Sequence, residues 1–207
     1  GDITCNPFNI DEAIKQIEVG ATDLLNKVGG IISLGGDHTI ALPLLRAANK
    51  KNNGPVSLIH FDAHLDTWDT YFGAPYTHGT PFRRAREENL FLDDASMHVG
   101  IRGPLYSRDD IKNDESFGFK IIHCDEFQTE GIDKIVERIK NRVGDNALPH
   151  RWERHFLDHP PPSRTTHIAM VLNETNFDQT LEMMVEVVTV DVECGLKLNS
   201  THFRCLR

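Results

Sequence analysis

The stretch that decides the fold is Val56-Ser57-Leu58-Ile59-His60-Phe61-Asp62-Ala63-His64-Leu65-Asp66, an apolar run that ends in alternating polar side chains. Residues two apart in an extended chain point to the same face. Asp62, His64 and Asp66 therefore converge if the strand geometry persists or curls gently beyond Phe61. Two carboxylates and an imidazole suit Mn, Zn, Fe or Ni better than an ion that prefers thiolates. The alternative is an ordinary strand end with solvated carboxylates.

A second apolar run, residues 31–34, closes on Gly35 and Gly36 and soon reaches His38. The glycines allow a left-handed or otherwise tight turn, and the apolar spacing within residues 40–50 predicts a helix after it. His38 is thus placed at a strand-to-helix corner, where open parallel sheets build their sites. Two such strand ends joined by a helix predict a βαβ unit with both ligand sets on one rim. The alternative for His38 is a turn or cap residue.

A phosphate-binding loop is another candidate for this turn, because Gly35 and Gly36 precede a helix. The segment has no third glycine at dinucleotide spacing and no Gly-Lys-Ser/Thr. Asp37 inside the turn would also repel a pyrophosphate. Nucleotide binding is therefore not favoured.

Alternating elements are predicted for the rest of residues 1–146. Asn9 is a candidate cap for the first helix, and residues 67–80 are predicted to be a loop at the rim of a site. Helices are predicted at 11–28, 82–88, 107–113 and 132–143, and strands at 97–101 and 120–123. The alternation is typical of an α/β protein with a parallel sheet.

Three motifs follow one another along the chain: Gly35-Gly36-Asp37-His38, Asp62-Ala63-His64-Leu65-Asp66 and His78-Gly79-Thr80-Pro81-Phe82. Together they resemble the successive motifs of the ureohydrolases, the family of arginases, agmatinases and guanidino-acid hydrolases. The segments Thr67-Trp68-Asp69-Thr70 and Val99-Gly100-Ile101-Arg102-Gly103 are most similar to the agmatinase-like branch. The resemblance covers residues 1–146.

The resemblance implies a three-layer α/β/α fold with a mostly parallel sheet, incomplete in this chain, and two Mn²⁺ ions per subunit that share a hydroxide. At the positions that match the family motifs, His38 and Asp66 resemble ligands of one ion and His64 resembles a ligand of the other. Asp62 resembles the carboxylate that bridges both ions. His78 resembles the catalytic histidine that transfers protons beside the metals; the alternative is a solvent-exposed loop histidine.

The reaction implied by the resemblance is hydrolysis of a guanidino compound. Agmatine giving putrescine and urea is the favoured pair, which belongs to polyamine biosynthesis, and guanidinobutyrate is the competing substrate. Such a reaction is chemically sensible because a metal-activated water is a strong nucleophile near neutrality and an imidazole can protonate the departing amine. No substrate-binding residue is assigned, since Trp68 and Arg102 are better explained by structural roles than by contact with substrate.

The character of the sequence changes after Asn146. Residues 147–207 contain a Pro160-Pro161-Pro162 run and show no strand–helix rhythm, which predicts a tail that does not match the family and is disordered or aberrant. The resemblance implies a second aspartate motif at this junction, and the tail does not contain it. Fewer than two ions are therefore expected. The alternative function is an impaired or inactive remnant that binds at most one metal ion or pairs with other subunits.

Two groups in the tail are candidate replacements for the missing motif. Asp191-Val192-Glu193 follows the apolar stretch 185–190 but has unsuitable flanking sequence. His155, Asp158 and His159 form a second group, but the neighbouring prolines favour an exposed polyproline segment. Neither is expected to complete the site.

Composition indicates one soluble globular domain. The 207 residues carry a net charge of −9 without a basic stripe, which argues against nucleic acid. No apolar run approaches the ~18 residues of a membrane span. The four cysteines form no Cys-x-x-Cys pair, so reduced thiols and a cytoplasmic location are expected, with the mitochondrial matrix as the alternative. The start has neither Met nor a signal-peptide pattern, as if the chain began inside a larger protein. The resemblance to the ureohydrolases also implies a homo-oligomer.

Overall fold

The computed structural model describes residues 1–28 and 30–144, together with two further strands at 168–173 and 185–190. The helices in this part of the chain are α1 (Ile10–Leu25), α2 (Ala41–Asn52), α3 (Pro81–Glu87), α4 (Asp110–Ser116), α5 (Glu126–Glu130) and α6 (Ile132–Val143). The strands are β1 (Ile31–Gly35), β2 (Ser57–Phe61), β3 (Ser96–Ile101), β4 (Phe119–His123), β5 (Ile168–Asn173) and β6 (Val185–Val190). A 3-10 turn, His38–Ile40, leads into α2.

The strands form one mostly parallel sheet in the order β1-β6-β5-β2-β3-β4. β2 pairs in parallel with β5 on one side and with β3 on the other, and β3 pairs in parallel with β4. Only β6 is reversed among the described strands, because it pairs antiparallel with both β1 and β5. Parallel pairing brings the carboxyl ends of β2, β3 and β5 to one edge of the sheet, which we call the ligand edge because Asp62 follows β2 there.

Apolar side chains cover both faces of the sheet. On one face, α1, α2 and α3 pack on the strands through a cluster that includes Leu25, Leu42, Leu45, Leu58, Phe82, Phe91 and Phe119. On the other face, α6 packs on them through a cluster of Ile59, Met97, Val99, Ile122, Ile135 and Val143. β2 and β3 are buried on both sides, which explains their nearly continuous apolar sequences. The predicted three-layer α/β/α fold is confirmed.

The predicted elements of residues 1–146 are found with two differences. Asn9 caps α1, since its side chain accepts a hydrogen bond from Glu12 N at 3.1 Å. The helix predicted at 107–113 begins only at Asp110, whose carboxylate accepts hydrogen bonds from Tyr106 N and Ser107 N at 2.9 and 3.1 Å and holds that segment as a turn. The short helix α5 was not predicted.

Of the two alternatives predicted for Gly35 and Gly36, the structure has the tight turn that is not left-handed, because neither residue has a positive φ. Gly35 has a different role. A Cβ at this position would collide with the side chain of Ile40, so the absence of a side chain lets the 3-10 turn fold closely over the end of β1.

Two segments of the predicted tail are strands of the main sheet. β5 runs beside β2 with Phe61 opposite Leu172, so β5 ends at the ligand edge. β6 runs the other way, and its last residue, Val190, lies opposite Ile168 at the far edge. The remaining candidates, His155, Asp158, His159, Asp191 and Glu193, lie outside the described residues, and the division at residue 146 stays a prediction.

Cys5 and Cys124 are free thiols, while Cys194 and Cys205 lie outside the described residues. None of the helices in the described residues is both long and apolar enough to cross a membrane.

Candidate metal centre

Four buried side chains meet at the ligand edge. His38, His60, Asp62 and Asp66 each offer one ligand atom, and these atoms lie within 4.8 Å of one another. We call this group the His/Asp cluster. Two imidazoles and two carboxylates are a donor set typical of divalent transition metals.

Local backbone structure places His38 and Asp66 in contact. His38 begins the 3-10 turn, where the side chain of Asp37 caps the turn by accepting from Thr39 N at 2.8 Å. Asp66 has a φ of 56°, in the left-handed region that non-glycine residues rarely adopt. Its carbonyl accepts from Phe82 N at 3.1 Å, which fixes this unusual backbone against α3. As a result, His38 Nδ1 lies 2.8 Å from Asp66 Oδ2.

Asp62 lies between two groups of histidines. Its Oδ2 faces His38 Nδ1 at 3.7 Å and His60 Nε2 at 3.2 Å. Its Oδ1 faces His64 Nδ1 at 3.3 Å and also accepts from the His64 amide at 2.8 Å. A carboxylate whose two oxygens face different imidazoles has the arrangement that a bridging ligand requires.

The expected convergence of Asp62, His64 and Asp66 on one side is only partly found. Asp62 and Asp66 both join the His/Asp cluster, but His64 lies on the other side of Asp62, and its side chain is 29% exposed. The reason is that the chain leaves the extended geometry after Phe61. Ala63 O there accepts hydrogen bonds from two consecutive amides, those of Arg102 and Gly103.

His78 lies outside the His/Asp cluster. Its side chain is half exposed, its Nδ1 is 3.8 Å from Asp37 Oδ2, and its ring contacts Tyr71 edge to face with centroids 4.9 Å apart. It therefore stands beside the strand-to-helix corner that carries His38. This position suits a group that exchanges protons with solvent better than a fixed ligand.

His60 is the member of the cluster that the sequence reasoning missed. The signal was present, because His60 precedes Asp62 by two residues and shares its face of the strand. The same alternation extends backward from Asp62 into the apolar run, where a histidine is otherwise indistinguishable from a core residue of the strand.

Burial and mutual charge set the protonation of the cluster. Burial lowers the pKa of His60 to about 4, so its ring is neutral near pH 7. Burial also disfavours a charged His38, but its hydrogen bond to Asp66 and the nearby carboxylate charges outweigh this effect and raise its pKa. For Asp62, burial is outweighed by hydrogen bonds from His60 and His64, which hold its pKa well below the usual range. The hydrogen bond to Asp62 raises the pKa of His64.

The charge balance of the cluster fits a cation. Throughout the described residues, the ion-pair partners of Asp62 and Asp66 are histidines rather than Lys or Arg. Two buried carboxylates without a fixed cation are costly. A divalent ion held by His38, Asp62 and Asp66 would supply the missing charge, with His64 positioned for a second ion across Asp62.

Metal binding is expected to weaken on acidification, starting above pH 6.5. Metal requires unprotonated His38 and His64, and both have a pKa raised above the ordinary 6.5, so protons compete already at neutral pH. Below the raised pKa values the Mn²⁺ affinity should fall about tenfold per pH unit for each histidine that must lose a proton. Calorimetric titrations from pH 6 to 8 measure this dependence, and a dissociation constant independent of pH would contradict it.

Gly103 is expected to hold His64 in place. A Cβ at this position would lie 2.8 Å from His64 Nε2 and 2.9 Å from Ala63 O. Gly103→Ala should therefore displace the imidazole, lower the free energy of unfolding by about 1–3 kcal/mol through overpacking, and weaken Mn²⁺ binding. Gly54→Ala is a suitable control, since a Cβ there meets nothing within 4 Å. Unchanged Mn²⁺ affinity in Gly103→Ala would show that His64 does not contribute to binding.

Comparison with known proteins agrees with this geometry. Residues 1–150 match the arginase family. The chain belongs to the arginase family. The chain is 41% identical over 169 residues to putative agmatinase 1 of Schizosaccharomyces pombe, covering 70% of this chain and 43% of that protein. It is 40% identical over 146 residues to guanidinopropionase of Pseudomonas aeruginosa, covering 70% and 45% of the two chains.

A solved arginase-family structure shows the same fold. Proclavaminate amidino hydrolase from Streptomyces clavuligerus matches with a TM-score of 0.63 and 33% identity, over 70% of this chain and 47% of that chain. The chain thus spans less than half the length of each of these three relatives. The arginase-family match contains His38, His60, Asp62, His64, Asp66 and His78.

Proposed function

We propose that this arginase-family chain carries the first half of a Mn²⁺-dependent site that hydrolyses a guanidino C–N bond. The observation that supports the proposal most directly is the buried His/Asp cluster at the carboxyl edge of an arginase-family sheet. When bound, Mn²⁺ supplies Lewis-acid chemistry that lowers the pKa of water and favours attack on a poorly electrophilic guanidinium carbon.

The proposed roles follow from the positions of the side chains. His38 and Asp66 would hold one ion, His64 would help to hold a second, and Asp62 is the carboxylate that would serve both. His78 protonates the departing amine, since it is half exposed beside the cluster and can exchange protons with water. Asp37, whose Oδ2 lies 3.8 Å from His78 Nδ1, helps to orient this ring.

The proposed substrate is a small cationic guanidino compound. Agmatine, which would yield putrescine and urea, is favoured because the relatives include putative agmatinases, and guanidinobutyrate is the second candidate because a guanidinobutyrase of Pseudomonas aeruginosa is 38% identical over 144 residues. Homo-oligomerisation and a cytoplasmic or mitochondrial-matrix location belong to the same proposal. They derive from the family resemblance.

A second candidate function is a remnant that binds at most one ion. One observation favours it. The described residues contain a single His/Asp cluster with only two carboxylates. Two Mn²⁺ ions bring four positive charges, so with few fixed anions the second ion would be held weakly.

Urea release from agmatine distinguishes the two candidates. The purified chain with Mn²⁺ is compared with a chimera in which residues 1–146 continue into the corresponding second half of a related agmatinase. We expect the chimera to release urea at least about 100-fold faster, because losing metal ligands costs more than the ~10–100-fold typical of residues that merely support them. The chimera with Asp62→Ala is the control for metal-dependent turnover.

Each outcome has a clear meaning. Full activity of the native chain would exclude the remnant. A chimera that binds Mn²⁺ but releases no urea from agmatine or guanidinobutyrate would contradict the proposed substrate class.

A further inference from the structure

A row of buried polar side chains extends from the His/Asp cluster into the sheet. His60 in β2 and His98 in β3 lie directly opposite each other in the parallel register, and their Nδ1 atoms are 2.7 Å apart. His98 Nε2 lies 2.8 Å from Asp114 Oδ2 on α4. At the other end, His60 Nε2 lies 3.2 Å from Asp62 Oδ2. His60, His98 and Asp114 are all fully buried.

The hydrogen bonds of this row have one consistent direction. A carboxylate only accepts, so Asp62 requires a proton on His60 Nε2. The neutral His60 ring then accepts at Nδ1, and His98 must donate from its own Nδ1. His98 Nε2 lies 2.8 Å from Asp114 Oδ2, a close polar contact that is not an aligned hydrogen bond. Within the described residues, His98 Nε2 and the two oxygens of Asp114 have no aligned hydrogen-bond partner.

Aromatic packing holds the two imidazoles in this arrangement. Phe82 contacts the His60 ring with centroids 4.4 Å apart, and Phe119 lies over the His98 ring at 3.9 Å. The rings cannot turn without disturbing a packed core, which is costly. A change at Asp114 would therefore reach Asp62 through the polar contacts of the two side chains between them, His98 and His60.

We propose that His98 and Asp114 are positioning residues that orient the metal-binding carboxylate of Asp62 through His60. The proposal rests on the metal centre of the proposed function but not on its substrate. The energetics favour this role over a purely structural one, because a buried polar pair of this kind is often replaceable by apolar residues without loss of stability. Its specific effect is to keep a proton on His60 Nε2 and so to direct Asp62 Oδ2 toward His38.

The decisive variant is His98→Phe with Asp114→Leu in the full chain. It replaces both partners of the pair with apolar side chains and leaves His60 Nδ1 without a donor. We expect the dissociation constant for Mn²⁺, measured by calorimetry, to rise about 10–100-fold, while the melting temperature of the metal-free protein stays the same or increases. Asp114→Asn should retain Mn²⁺ affinity within a few-fold, because an amide of the same shape can keep the polar contact with His98 Nε2.

Asp109→Asn is the matched control, because it removes an exposed carboxylate directly before α4, the helix that carries Asp114. Within the described residues, the only ion-pair partner of Asp109 is Lys112. Its Mn²⁺ affinity should equal that of the unmodified chain. A second measurement does not depend on any variant folding. Side-chain ¹⁵N NMR of the unmodified metal-free chain should show His60 protonated at Nε2 and His98 protonated at Nδ1.

Four results would overturn the inference. A His60 ring protonated at Nδ1 would overturn this inference but not the proposed function. Equal Mn²⁺ affinity in the unmodified chain and the double variant would do the same. A fall in melting temperature with unchanged Mn²⁺ affinity would assign His98 and Asp114 to the structure. Absence of Mn²⁺ binding by the unmodified chain would overturn both this inference and the proposed function.

Discussion

Asp62→Ala is expected to lower the Mn²⁺ affinity of this chain by more than about 100-fold, beyond the ~10–100-fold typical of supporting residues. The reason is that both oxygens of Asp62 face imidazoles, Oδ2 toward His38 and His60 and Oδ1 toward His64. Removing this carboxylate deprives both halves of the site of their shared anion. Calorimetric titration with Mn²⁺ measures the loss, and the melting temperature of the metal-free variant verifies that it is folded.

Asp69→Asn is the control for charge. Asp69 is an exposed carboxylate on the following loop that pairs with Arg84 at 2.6 Å, so its removal should leave Mn²⁺ affinity unchanged. Equal Mn²⁺ affinity of the unmodified chain and Asp62→Ala would contradict the hypothesis that this site binds metal. Equal losses of affinity in Asp62→Ala and Asp69→Asn would indicate a general effect of charge.

His78→Asn is expected to reduce urea release by about 10²–10⁴-fold while Mn²⁺ occupancy stays nearly the same. The side chain lies outside the His/Asp cluster and is half exposed, so it can transfer a proton but does not hold the ion. The test requires an active protein, either the chimera or a full-length relative with the same His-Gly-Thr-Pro-Phe motif. Initial rates and the metal content of the purified protein are measured together.

The exposed His123 at the end of β4 provides a matched histidine control in the chimera. His123→Asn should leave both rate and metal content unchanged. If His78→Asn instead loses metal while the rate per bound ion is preserved, His78 is a ligand and the proton-transfer role is wrong.

The arrangement of the elements could be predicted from the sequence because local signals decide it. The apolar spacing of residues 132–143 reproduces α6 within its observed bounds, Ile132–Val143. Asn9 marks the start of α1 through a side-chain hydrogen bond that is itself local. The two strand ends that carry His38 and Asp62 could be placed on one rim because parallel βαβ units leave them no other edge.

The composition of the site was decided by the tertiary structure. Alternation beyond Phe61 predicted that His64 would join Asp62 and Asp66, but the amides of Arg102 and Gly103 bind Ala63 O and turn His64 to the other side of Asp62. Sequence spacing contains no information about a hydrogen bond between segments 39 and 40 residues apart. The direction of β6 could not be predicted for the same reason, since strand pairing is set by partners distant in sequence.

The sequence by itself determined that an α/β sheet presents His38, Asp62 and Asp66 at a common edge, because the periodicity of strands and helices is a property of neighbouring residues. Only the tertiary structure brought His60 against His98 and Asp114, because that row depends on the register between β2 and β3 and on the packing of α4. A histidine inside an apolar strand has no local signal that distinguishes a core residue from a partner of a metal site. Its neighbours across the sheet make that distinction.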